Sequence, residues 1–153
     1  MKFSWRSARK ARAEEDEDQA GKKRLAGRTS RAMKYASTFK AKSKQWPEVT
    51  LEIGRISFGR RIELTRKIRE LAQKAEFFEA GGTARERIEA TLLESEIDRI
   101  YLEWGLIGVE GLEVDGATAT PEGLIAAGPE ALSQEALGLI KAECGMSEAE
   151  RKN

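Results

Sequence analysis

Glu94, Glu96 and Asp98 are the carboxylates whose spacing comes nearest to an acid–base set. On a helix, Glu94 and Asp98 are four residues apart and share a face, with Arg87 and Arg99 close enough in sequence to offset part of their charge. That pattern reads as a solvated helix face rather than a catalytic pair. Cys144 is the only cysteine, so the chain has no internal disulfide and no cysteine metal cluster. It stands beside Gly145 near the end of an expected helix and reads as a small structural residue, not a reactive thiol. Histidine is absent, which removes Ser-His and Cys-His nucleophile arrangements and imidazole metal sites. An enzyme would have to work with carboxylates, Lys or Tyr, and no convergent set of these appears. Gly105, Gly108 and Gly111 recur every third residue, but no Lys-Ser/Thr follows and no strand-to-helix context surrounds them, so they are expected to form a turn rather than a phosphate loop. No catalytic, cofactor-binding or metal-binding residue is assigned.

The elements that would position any site are set by composition and periodicity. The chain has 153 residues, 40% hydrophobic and 35% charged, enough for one domain with a modest core. Its apolar runs are far short of a membrane span. The basic N-terminus is followed by no apolar stretch of the signal-peptide kind, so a cytoplasmic location is expected. The net charge of +1 conceals an asymmetry. Residues 1–45 carry 14 Lys/Arg against 5 Asp/Glu, and residues 46–153 carry 13 against 21. With Phe3, Trp5, Tyr35 and Phe39 as sparse aromatics and little apolar periodicity, residues 1–45 are expected to be a disordered basic arm. Such a segment buries too little apolar surface to offset its ordering entropy. It would either solubilise the chain or attract phosphate by counterion release.

Residues 46–153 are expected to form an acidic, mainly helical domain entered at Trp46-Pro47. Val49, Leu51 and Ile53 alternate with polar residues, and Ile56 and Phe58 continue the apolar content beyond Gly54, predicting a small β element near residues 49–58. Leu64, Ile68, Leu71, Ala75 and Phe78 recur at steps of four and three, predicting a helix over 60–80. Gly81-Gly82 ends it, and Thr83 with Glu86 forms a capping-box pattern for a second helix running to about Trp104. Ile88 and Leu92 are expected to begin its apolar stripe, with Leu93, Ile97, Ile100, Tyr101 and Trp104 continuing it. The short link makes the two helices an antiparallel hairpin. Beyond Trp104, glycines force a compact turn. Asp115-Gly116 predicts a tight hairpin-like reversal, and Thr120-Pro121-Glu122 predicts a helix start. Helices are then expected over 121–127 and 130–143, with a frayed polar terminus after Gly145.

The order of these features resembles the tail assembly chaperones of long-tailed bacteriophages. The matching residues are Trp104-Gly105, Val109-Glu110-Gly111, Asp115-Gly116, Thr120-Pro121-Glu122-Gly123-Leu124 and Glu150-Arg151-Lys152-Asn153, within residues 49–153. A long basic arm is not part of that group's pattern. The resemblance implies a non-enzymatic protein of the host cytoplasm that coats the helical tape measure protein and helps recruit tail tube protein subunits. An acidic helical domain can offer such a partner a groove or a helix face. The partner-binding residues expected are exposed members of the helical pair and, in the turn, Trp104, Leu106, Ile107, Val109 and Leu112. Self-association, and nucleic-acid binding through residues 1–45, are further expectations, with no membrane partner. Two other functions fit the sequence: a structural or adaptor protein of a virion or large assembly, and a nucleic-acid-binding protein using its basic arm.

Overall fold

The computed structural model describes residues 32–145. The chain divides into two units, Met1–Tyr35 and Ala36–Asn153. Among the described residues, every strand and helix lies in the second unit. The expectations for residues 1–31 and for the terminal Glu150–Asn153 motif lie outside the described residues. The second unit is mainly α: two long helices and two shorter ones accompany a small antiparallel sheet. In chain order the elements are strands β1 (Thr38–Lys42) and β2 (Thr50–Gly54) and helices α1 (Phe58–Gly81) and α2 (Ala84–Gly105). Strands β3 (Leu106–Glu110), β4 (Glu113–Val114) and β5 (Ala117–Thr118) follow, then helices α3 (Pro121–Ala127) and α4 (Glu130–Glu143).

Each helix begins where a side-chain oxygen satisfies otherwise orphaned N–H groups, with α4 the exception. Ser57 accepts from the Arg60 N–H and starts α1, two residues before the expected start, with Gly59 in the first turn. Phe58 therefore belongs to the helix and not to the β element. Thr83 accepts from the Glu86 N–H at 3.2 Å, and the Glu86 carboxylate accepts from the Thr83 N–H at 3.0 Å, completing the expected capping box. The Thr83 hydroxyl also donates to that carboxylate at 2.6 Å, and this bond, with the one from the Thr83 N–H, holds the Glu86 carboxyl below its ordinary value of 4.5. A depressed carboxyl stabilises the fold above its unfolded pKa, and the contribution is lost as pH falls through the depressed value. The Thr83 amide resonance is therefore expected to titrate with a midpoint below 4.5, and an NMR pH series checks it. Thr120 caps α3, with Pro121 at its first position. Gly82 closes α1 at φ 77°, left-handed backbone that glycine adopts without a Cβ penalty.

The three-stranded sheet has order β1-β2-β3, antiparallel throughout. Residues 38–42 are thus a sheet strand inside the second unit, which corrects the placement of the whole of 1–45 in an arm. The basic composition conceals an edge strand whose Lys40 and Lys42 are exposed, a usual protection against edge-to-edge pairing. Lys40 pairs with Glu110 across the polar face of the sheet, and Thr38 donates to Glu52 at 2.7 Å. The second correction concerns residues 106–110, expected to be a turn. They form β3, paired Leu106↔Ile53, Gly108↔Glu52 and Val109↔Leu51. One extra residue, Ile107, is accommodated by a bulge between the first two of these pairs. The bulge lets Leu106 and Val109, three residues apart, both be buried while Ile107 is exposed.

The core is built from Val49, Leu51 and Ile53 of the β2 region, Leu106 and Val109 of β3, Ile97, Tyr101 and Trp104 of α2, Leu124 of α3, and Leu132, Ala136, Leu137 and Ile140 of α4. A carboxylate supplements the apolar packing of α4. Glu135 accepts from the buried Ser43 hydroxyl at 2.6 Å and from the Lys44 N–H at 2.7 Å. Arg60 fixes the start of α1 to the end of α2. Its guanidinium lies 4.3 Å from the Trp104 ring centroid and donates to the Trp104 carbonyl at 2.6 Å, a cation held at a helix C-terminus.

Candidate partner-binding surface

The hairpin of α1 and α2 is held together by small and aliphatic side chains. Leu64 and Ala75 are the buried residues of α1, and Ala90 and Ile97 are buried on α2. Alanine at these positions lets two helix backbones approach closely, so the larger side chains on the far faces gain nothing from the contact. Ile88 and Leu92 are accordingly exposed, by 62% and 56%, and do not begin the core stripe as expected. Ala90 occupies the inward position between them.

On α1 a second line of residues runs opposite the core stripe. Phe58, Ile62, Arg66, Arg69, Gln73 and Phe77 follow at helical steps of four and three, and all six are exposed. Phe58 is 83% and Phe77 72% exposed. Phe77 meets Phe78 edge-on at a centroid distance of 5.6 Å, and the two rings line an open groove of about 420 Å³ with Glu70, Gln73 and Lys74. At 1.5 Å rise per residue the line from Phe58 to Phe77 is about 28 Å long. It carries apolar side chains at its ends and two guanidinium groups in the middle. α1 packs along α2 and makes little other contact with the unit, so the line faces outward for its whole length.

The five residues expected to bind a partner after α2 are placed differently. Trp104, Leu106 and Val109 are buried in the core, and Leu112 packs half-buried against it. They hold the sheet to the helices and do not present a surface. Ile107 alone of the five is exposed, at the bulge.

No protein family, curated protein or solved structure matches this chain.

The carboxylates considered for acid–base work do not converge. Glu94 and Glu96 are exposed, and Asp98 is engaged by Lys141 of α4 at 2.7 Å. The arginines near them have other partners: Arg99 bonds Glu103 at 2.7 Å and Arg87 donates to the Gly82 carbonyl at 3.1 Å. Among the described residues no three His, Cys, Asp or Glu side chains are grouped to hold a metal ion, and no helix is long and apolar enough to cross a membrane. Cys144 is buried under the end of α4, where desolvation pushes its thiol above the ordinary value of 9.0. A buried neutral thiol is a poor nucleophile. Cys144 is expected to resist a water-soluble disulfide reagent at pH 8 in the folded protein and to react fully once the protein is unfolded in guanidinium; rapid labelling of the folded chain would contradict the burial.

The sequence did hold a signal for the exposed line on α1. Phe58, Ile62 and Phe77 keep the helical period but fall out of phase with Leu64, Ile68, Leu71 and Ala75. A helix with two apolar lines on opposite sides has one partner inside the fold and one side uncovered.

Proposed function

We propose that this protein is a non-enzymatic assembly chaperone of the kind that attends the tape measure protein of long-tailed bacteriophages and helps recruit tail tube protein in the host cytoplasm. The outward line of α1 receives a helix of that long partner. One observation carries the assignment of the surface: the exposed apolar ends at Phe58, Ile62 and Phe77 with Arg66 and Arg69 between them. A complementary helix of about 20 residues would place apolar groups against Phe58–Ile62 and Phe77 and carboxylates against the two arginines. Aromatic anchors supply apolar contact, and the guanidinium groups set register and steer encounter. The excess of acidic over basic residues in 46–153 supports solubility of the resulting complex. The order of motifs from Trp104-Gly105 to Thr120-Pro121-Glu122 supports the same role.

Coexpression with the long helical protein encoded beside it tests the role. The full chain is expected to raise the soluble fraction of that protein several-fold and to be absent from finished particles. A chain retained in the particle would instead be a structural or adaptor protein. A chain that left the partner insoluble, and bound DNA or RNA with steep salt dependence, would be a nucleic-acid-binding protein.

A further inference from the structure

The outer face of α2 is a separate surface from the line on α1, and its charges point to a different occupant. Ile88 and Leu92 are one turn apart, and Ser95 lies near the same line on the next turn. All three are exposed, on the side away from Ala90 and Ile97. α4 meets α2 at Asp98, through Lys141, and at Gly105, against Ile140, leaving the earlier turns open. One flank of the Ile88–Leu92 pair carries Arg85, Glu89 and Glu96. The other carries Ala84 and Thr91, short side chains that permit a close helix approach.

We propose that a second copy of this chain docks on this face, its α2 antiparallel to the first. A two-fold axis near residues 90–91 brings Ile88 of each copy against Leu92 of the other. It also brings Arg85 of each against Glu96 of the other, on the same flank, so one operation forms two apolar contacts and two ion pairs. A parallel arrangement, whose two-fold axis runs along the helices, would set the Arg85 and Glu96 flank of each copy against the Ala84 and Thr91 flank of the other and form neither ion pair, so charge selects the antiparallel one. Glu89 lies one turn from Arg85 on that flank and adds to the acidic side of the same cluster. Arg99 is held by Glu103 and lies toward the hairpin tip of the second copy, where Gly81 and Gly82 leave room. With only two exposed apolar side chains per copy, the association is weak, with Kd on the order of 100 µM.

Sedimentation equilibrium of the full chain tests the interface. The wild-type chain is expected to dimerise reversibly. Leu92→Asp is expected to be monomeric with an unchanged thermal melt, since Leu92 is exposed. Arg85→Glu and Glu96→Arg are each expected to weaken dimerisation about tenfold or more, because each turns both ion pairs into repulsions. Mixing those two variants is the decisive arm: one copy then presents two acids and the other two bases, and the heterodimer is expected to be at least as tight as the wild-type dimer. A chain that stays monomeric at millimolar concentration, a dimer indifferent to these substitutions, or a mixture no tighter than its components would overturn the proposal. So would a monomer in which a photo-crosslinker at position 92 joins the chain's own N-terminal residues, since that segment would then occupy the face. None of these outcomes depends on whether α1 binds a tape measure helix.

Discussion

Replacing Gly111 with alanine is expected to cost about 3 kcal/mol of stability, a large effect for a single methyl group. Two causes act together. Gly111 has φ 78°, a left-handed conformation that costs an L-residue about 1–2 kcal/mol. Its missing Cβ would also lie against the backbone carbonyl of Glu48, which cannot swing aside as a side chain can. Gly116 separates the two causes. It has the same φ of 78°, with open space where its Cβ would be, so Gly116→Ala is expected to cost only about 1 kcal/mol. Urea unfolding of both variants measures the difference. Equal losses would show that left-handed strain acts alone and that the approach of residues 48 and 111 contributes nothing.

Ile140→Ala is the second large effect, expected at about 3–4 kcal/mol. Ile140 is fully buried and packs where α4 crosses the end of α2. There the absent Cβ of Gly105 would come within 2.6 Å of the Ile140 side chain. The glycine is what lets the isoleucine sit against the helix backbone. Gly105→Ala alone is expected to cost about 1–3 kcal/mol through overpacking. In the double variant the new methyl group fills part of the cavity left by Ile140, so its total loss is expected to fall short of the sum by about 1 kcal/mol or more. Additive losses in denaturant titrations would mean that the two residues do not share a contact.

Much of the helical architecture was legible because its signals are local. Thr83 and Glu86 cap each other within one turn. Thr120 and Pro121 start α3, and Gly82 stops α1. Asp115 and Gly116 both have positive φ, 53° and 78°, as a two-residue hairpin between β4 and β5 requires. The missed elements depend on partners distant in sequence. β1 alternates too briefly, within too basic a stretch, to be recognised without β2 beside it. β3 carries its inward residues three apart, a spacing that fits a strand only when the bulge at Ile107 is known, and Gly105, Gly108 and Gly111 read more simply as a turn. The proposed docking surface was half legible. Exposed members of the helical pair were expected to bind, but the burial of Ala75 and Ala90 decides which members are exposed. It turns Ile88 and Leu92 outward while Trp104, Leu106 and Val109 fold into the core.

The most direct measurement of the central claim is capture of the long helical protein encoded beside this chain. The full-length wild type would be compared with a Phe58→Asp/Phe77→Asp variant, at positions 83% and 72% exposed, before and after nuclease treatment. Both substituted positions are exposed, so the variant should keep the wild-type circular dichroism and melting curve. Wild-type capture that survives nuclease and falls about tenfold or more in the variant is the predicted result. Capture unchanged by the variant, or recovery of nucleic acid alone, would contradict a partner helix seated on the outer line of α1.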